Sequence, residues 1–87
     1  MLLKKKIWPE FFEKVKRGEK KWELRLGDFE LHQGDSLLLE EWNPQTKNYT
    51  GRSIEKKVEY VKKFKLDELF WPEEEIKKHG FQIISLE

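Results

Sequence analysis

The sequence predicts a small α+β domain, a mixed β-barrel with two or three short helices at its periphery. Three observations carry this expectation. Short apolar runs with turn signals between them recur along the chain. An amphipathic helix follows the first run, and a second capped helix precedes the last. The predicted order is β-α-β-(β)-β-β-α-β, which suits a closed or half-closed barrel. With 87 residues, the chain forms one domain spanning 1–87.

The first strand is read at Leu3–Ile7. Trp8-Pro9 then opens a helix, because proline at the first helical position loses no hydrogen bond. Trp8, Phe11, Phe12 and Val15 follow the i, i+3, i+4, i+7 rule and form one apolar stripe, expected to enter the core. Glu10 and Glu13 come early and Lys14, Lys16 and Arg17 late, as the macrodipole favours. Gly18 is the expected stop. Trp22–Leu26 reads as a second strand, with Trp22, Leu24 and Leu26 directed inward and Glu23 and Arg25 outward. Turns at Gly27-Asp28 and Gln33-Gly34-Asp35 bracket a short apolar run, Phe29–Leu31.

Ser36–Trp42 contains the continuous Leu37-Leu38-Leu39 of a buried central strand, and Asn43-Pro44 stops it. Gln45–Gly51 is a polar loop, and Arg52 to about Lys62 a long strand with Ile54, Val58 and Tyr60 on one face. These two strands form a hairpin with a wide tip. Leu66, Leu69 and Phe70 suggest a helical turn or two. Pro72–Lys78 has proline first, acids early and lysines late, then Gly80, and so reads as a short helix. Phe81–Leu86 is the last apolar strand.

Composition narrows the chemistry. The absence of cysteine excludes disulfides and thiolate chemistry. His32 and His79 are not at metal-ligand spacing, so neither a metal nor a cofactor is expected. No apolar run is long enough to span a bilayer, and the lysine-rich start has no apolar segment after it. A soluble, monomeric, cytoplasmic protein is the expectation. The Lys- and Glu-rich composition resembles that of hyperthermophile proteins. The net charge of +1 argues against a strongly basic nucleic-acid clamp, but its distribution is uneven: +5 over residues 1–26 and −4 over residues 27–87. A positive end attracts a phosphate-bearing ligand; a merely solvated surface is the competing reading.

No phosphate-binding glycine loop, nucleophile elbow or metal pattern is present. What remains is Gly18-x-Lys20-x-x-Glu23-x-Arg25. Its Lys and Arg can anchor phosphate, its Lys can act as a base in a dry cleft, or all three can form a structural ion-pair network. At the hairpin mouth, Trp42, Tyr49 and Arg52 could stack on a base, or the two aromatics could pack on each other across the strands.

Three stretches carry a family resemblance. They are Trp8–Gly18, the Gly18-x-Lys20-x-x-Glu23-x-Arg25 signature, and Gly34–Pro44 continuing through Tyr49–Arg52 to Val58–Val61. Together they resemble the ASCH group of the PUA-like superfamily, in particular its small uncharacterised prokaryotic members. The resemblance implies a β-barrel with helices beside it and a cleft in which Lys20, Glu23 and Arg25 face RNA or a nucleotide. Some members of the group are acetylcytidine amidohydrolases that use a Lys, a Thr and a later Glu, and a ribonuclease activity has been attributed to a relative. Lys20 matches the Lys. Glu23 occupies the position of the Thr, Lys21 stands where many relatives have Thr, and Glu59 is the position compared with the later Glu. The departure at Glu23 weighs against that acyl-transfer chemistry.

The expectation is therefore an RNA- or nucleotide-binding module with Lys20, Glu23, Arg25, Trp42, Tyr49 and Arg52 at its site. The alternatives are a hydrolase of a modified nucleoside or RNA, with Lys20 and Glu23 as its working groups, and a non-catalytic interaction domain.

Overall fold

The computed structural model describes residues 1–84 and 86. Three strands form one sheet in the order β1-β2-β3: β1 at Leu2–Ile7, β2 at Ser36–Asn43 and β3 at Asn48–Lys57. Strand β1 runs parallel to β2, with Leu3 opposite Leu37 and Lys6 opposite Glu40. Strand β3 is antiparallel to β2, with Leu39 opposite Ile54 and Trp42 opposite Tyr49. A register shift between Glu40 and Trp42 marks an irregularity at Glu41. The burial alternation of β2 runs through it unbroken, with Leu37, Leu39 and Glu41 all on the core side.

Helix α1 covers Pro9–Lys16. Trp8 O accepts the amides of Phe11 and Phe12 at 3.1 and 2.9 Å, so Pro9 sits where a missing N–H costs nothing. Gly18 follows at φ 78°, a left-handed conformation that glycine adopts without penalty, and donates to Val15 O. The expected four-residue stripe divides. Phe12 and Val15 join Ile7, Leu37 and Leu39 in the core, with Leu3, Leu31 and Ile54 packed against it. Trp8 and Phe11 stay exposed and stack on each other at 6.2 Å. The face of α1 that meets the sheet is narrower than its apolar stripe.

The hairpin tip is tighter than the polar loop expected at Gln45–Gly51. Asn43 Oδ1 accepts the amide of Gln45 at 2.9 Å, and Asn43 O accepts that of Lys47 at 2.7 Å. This side-chain-assisted turn lets β3 begin at Asn48 rather than Arg52 and end at Lys57 rather than Lys62. Beyond it lie a 3-10 turn at Leu66–Glu68 and helix α2 at Glu73–His79, which contributes no buried residue. No helix among the described residues is long and apolar enough to cross a membrane.

The fold is thus α+β, with an open three-stranded sheet; the described residues do not form a closed barrel. Among the described residues, three expected strands are not formed. Trp22–Leu26 and Phe29–Leu31 are extended or turning chain outside the sheet, and residues 81–84 form no strand. Ser85, within the expected last strand, lies outside the described residues. In Trp22–Leu26 the period-two alternation survives with its sense inverted: Glu23 and Arg25 are half-buried, while Leu24 and Leu26 are exposed. The segment meets the carbonyl edge of β1, where a hydrogen-bond donor is required and a leucine could supply none.

Candidate functional site

Lys20, Glu23 and Arg25 come together as the sequence suggested, and the turn after Gly18 places them. Lys20 Nζ donates to Glu23 Oε1 and, at 2.7 Å, to Trp22 O. Arg25 Nε donates to Glu23 Oε2 at 2.9 Å. Both oxygens of one carboxylate are thereby engaged by two different cations. Arg25 Nη2 continues to Lys6 O at 2.8 Å, which ties the group to β1. Lys20 Nζ also lies 4.5 Å from the centre of the Trp22 ring and 6.0 Å from that of Phe11. The Lys20 side chain is 10% exposed and that of Arg25 27%. This is a preorganised, partly buried group with more positive than negative charge. Such a group suits an anion.

The aromatic pair of the hairpin mouth is joined to this group through β1. Trp42 and Tyr49 face each other in the β2–β3 register. Lys6 Nζ lies 4.5 Å from the Trp42 ring centre and 5.8 Å from that of Tyr49. Lys6 therefore serves both groups, its carbonyl receiving Arg25 and its ammonium covering the aromatic pair. The sequence expectation did not include Lys6. Its only signal is membership of a lysine run on a strand, and no periodicity distinguishes it from Lys4 or Lys5.

Arg52 departs from the expected site. Its Nε and Nη2 donate to the two oxygens of Glu41, each at 2.8 Å, and Nη2 also reaches Glu13 Oε1 at 2.7 Å. Thr50 Oγ1 donates to Glu41 Oε1 as well. The guanidinium lies 4.7 Å from the Phe12 ring centre. Glu41 is 3% exposed and is the buried charged residue of the core. The hydrogen bonds from Arg52 hold its carboxyl below the ordinary glutamate range, against the opposing effect of burial, with Thr50 assisting. Glu13 is lowered mainly by the same guanidinium, whose own pKa is raised chiefly by Glu41 and then by Glu13. Arg52 is thus occupied beside α1 in satisfying a buried carboxylate. Glu13, Glu41 and Thr50, none of them singled out as site residues from sequence, complete that network. Alternation along β2 puts Glu41 on the buried face with Leu37 and Leu39, but the sequence does not show which cation neutralises it there.

The geometry supplies little for covalent chemistry at the signature. No serine or threonine touches Lys20 or Glu23 in these contacts, and both Glu23 oxygens are engaged by cations. Glu59 is exposed. A shallow cavity of about 440 Å³ lies elsewhere, between Phe12, Lys16 and the start of β3 at Gly51–Ile54. No group of three or more potential metal ligands occurs among the described residues.

A family model described as a domain of unknown function, DUF3850, matches residues 3–70, and the chain belongs to that family. The matched span includes β1 from Leu3 onward, α1, the Lys20–Arg25 signature and the whole hairpin, and ends before α2. No curated protein and no solved structure matches the chain.

Proposed function

We propose that this DUF3850 domain is an RNA- or nucleotide-binding module of ASCH type. Lys20 and Arg25 hold phosphate, Glu23 orients both, and the Trp42–Tyr49 pair stacks on a base. One observation carries the reading: a single carboxylate shared by two cations, joined through Lys6 to an aromatic pair. The surplus positive charge of this group suits phosphate, and the rings suit a nucleobase, for which stacking is worth about 1–3 kcal/mol per base. The +5 charge of residues 1–26, which contain Lys6, Lys20 and Arg25, supports the same assignment.

The PUA-like barrel belongs to this proposal. Its support is the outer edge of β1, where Arg25 already holds the Lys20–Leu26 segment against the strand by a side chain. Monomeric action in the cytoplasm is likewise part of the reading. A hydrolase finds less support, because Glu23 stands where the amidohydrolases carry a hydroxyl and is held by two cations.

The test is a titration of the protein with mononucleotides and short single-stranded RNA at low salt, followed by residue-resolved chemical shifts. The expected outcome is saturable shifts at Lys20, Glu23, Arg25, Trp42 and Tyr49 that weaken as salt rises. Shifts confined to the cavity beside Arg52, or no binding of any of these ligands, would refute the proposal.

A further inference from the structure

The ammonium of Lys6 is placed unlike that of Lys20. Lys14, Lys20, Lys63 and Lys77 each meet a carboxylate. The Lys6 ammonium instead lies over the rings of Trp42 and Tyr49. Its backbone is fixed by pairing opposite Glu40 and by accepting Arg25 Nη2, while the residue itself is exposed. A nucleobase and an ammonium cannot occupy the same ring face together. A base stacked on the face of Trp42 that Lys6 covers must displace the ammonium, and Arg25, which donates to the Lys6 carbonyl, would bring a phosphate to the same residue.

We infer that Lys6 is a ligand-binding residue that exchanges partners. In the free protein its ammonium covers the Trp42–Tyr49 pair, and in the complex it leaves the rings to the base and pairs with the phosphate. The inference rests on the nucleotide-binding reading and adds to it a specificity: the site selects a phosphorylated nucleoside over the nucleoside alone. An exposed cation–π contact is weak and readily given up, whereas a charge-assisted contact to phosphate is among the stronger polar interactions. Exchange therefore opposes binding of the bare nucleoside, which strips the ammonium of its rings and offers nothing in return.

The variant Lys6→Met separates these effects, since it keeps an unbranched side chain on β1 and removes the charge. Affinities of adenosine, adenosine 5′-monophosphate, cytidine and cytidine 5′-monophosphate are measured for wild type, Lys6→Met and Lys6→Arg by tryptophan fluorescence and calorimetry. In Lys6→Met the nucleosides bind about threefold more tightly, and the monophosphates about tenfold more weakly with a salt slope reduced by about one. Lys6→Arg keeps the preference for the monophosphates. Loss or gain of the same sign for both ligand types, or no change in either, overturns the exchange while leaving nucleotide binding in place. Failure of the wild type to bind any of the four overturns the nucleotide-binding reading and the exchange together.

Discussion

Two ion networks flank the same α1–β1 unit, and their stoichiometries are inverted. At the signature, one carboxylate, Glu23, is shared by two cations, Lys20 and Arg25. Beside the core, one cation, Arg52, is shared by two carboxylates, Glu13 and Glu41. The first leaves a surplus positive charge near the surface, close to aromatic rings. The second directs its guanidinium at a carboxylate that is almost wholly buried. A buried charge must be neutralised inside the protein, because water is not available to do it. Where two cations share one carboxylate, one positive charge is left over, and it is this charge that the proposed phosphate contact uses. Similar side chains therefore satisfy a buried carboxylate in one network and, in the function proposed above, meet phosphate in the other.

The largest effect should come from Arg52→Met. It leaves the Glu41 carboxylate buried with only the Thr50 hydroxyl, and the melting temperature should fall by about 15 °C, read by thermal unfolding. The pH dependence gives this prediction a sign. Glu41 in the folded protein lies below its ordinary value of 4.5, chiefly because of Arg52. Its contribution to wild-type stability is therefore present above about pH 4.5 and is lost as pH falls through the folded value. Arg52→Met removes the cause of that lowering and leaves burial, which acts in the opposite direction. The stability gap between wild type and variant should narrow from pH 6 to pH 3 in denaturant titrations. A gap that widened with acid would show that Glu41 does not depend on Arg52. Nucleotide affinity of the folded variant should be unchanged.

The complementary experiment is Arg25→Ala, alongside Lys20→Ala. Each should weaken nucleotide binding by about tenfold to a hundredfold, the range of one charge-assisted contact. Melting should shift less than in Arg52→Met, because neither change leaves an almost wholly buried carboxylate without a cation. A melting loss as large as that of Arg52→Met, with binding intact, would make the signature a second structural network and erase the contrast. The smallest change is expected for Glu23→Gln. The cations remain but lose the charge that orients them, so affinity should fall about threefold while the salt slope stays the same. A steeper loss would assign Glu23 a direct contact with the ligand.

Helix α1, the Gly18 stop, the central strand β2 and α2 were all legible in the sequence, because local chemistry dictates them. Proline, glycine and charge placement act within one or two turns, and an apolar triplet needs a core wherever it lies. The strands predicted at Trp22–Leu26 and Phe29–Leu31 were not found in the sheet. Alternation reports an extended chain with two unlike faces; it does not report whether a ladder partner exists or which face turns inward. At Arg25 the matter was decided by one carbonyl, Lys6 O, lying 19 positions away in sequence. Within the candidate site, Lys20, Glu23 and Arg25 could be grouped by spacing alone. The engagement of Arg52 by Glu41 and Glu13 could not, since it depends on which carboxylates the fold brings to that guanidinium.

The sequence by itself determined a small α+β domain without cysteine chemistry, a capped amphipathic helix, and a lysine, a glutamate and an arginine close enough to interact. Tertiary structure alone decided which charges face inward, and that Lys6 joins the signature to the aromatic pair while Arg52 serves the core. The physical reason is that hydrogen-bond demand and burial are properties of a place in the fold. A carbonyl at a sheet edge or a carboxylate beneath a helix selects its partner by proximity in space, and spacing along the chain does not encode that proximity.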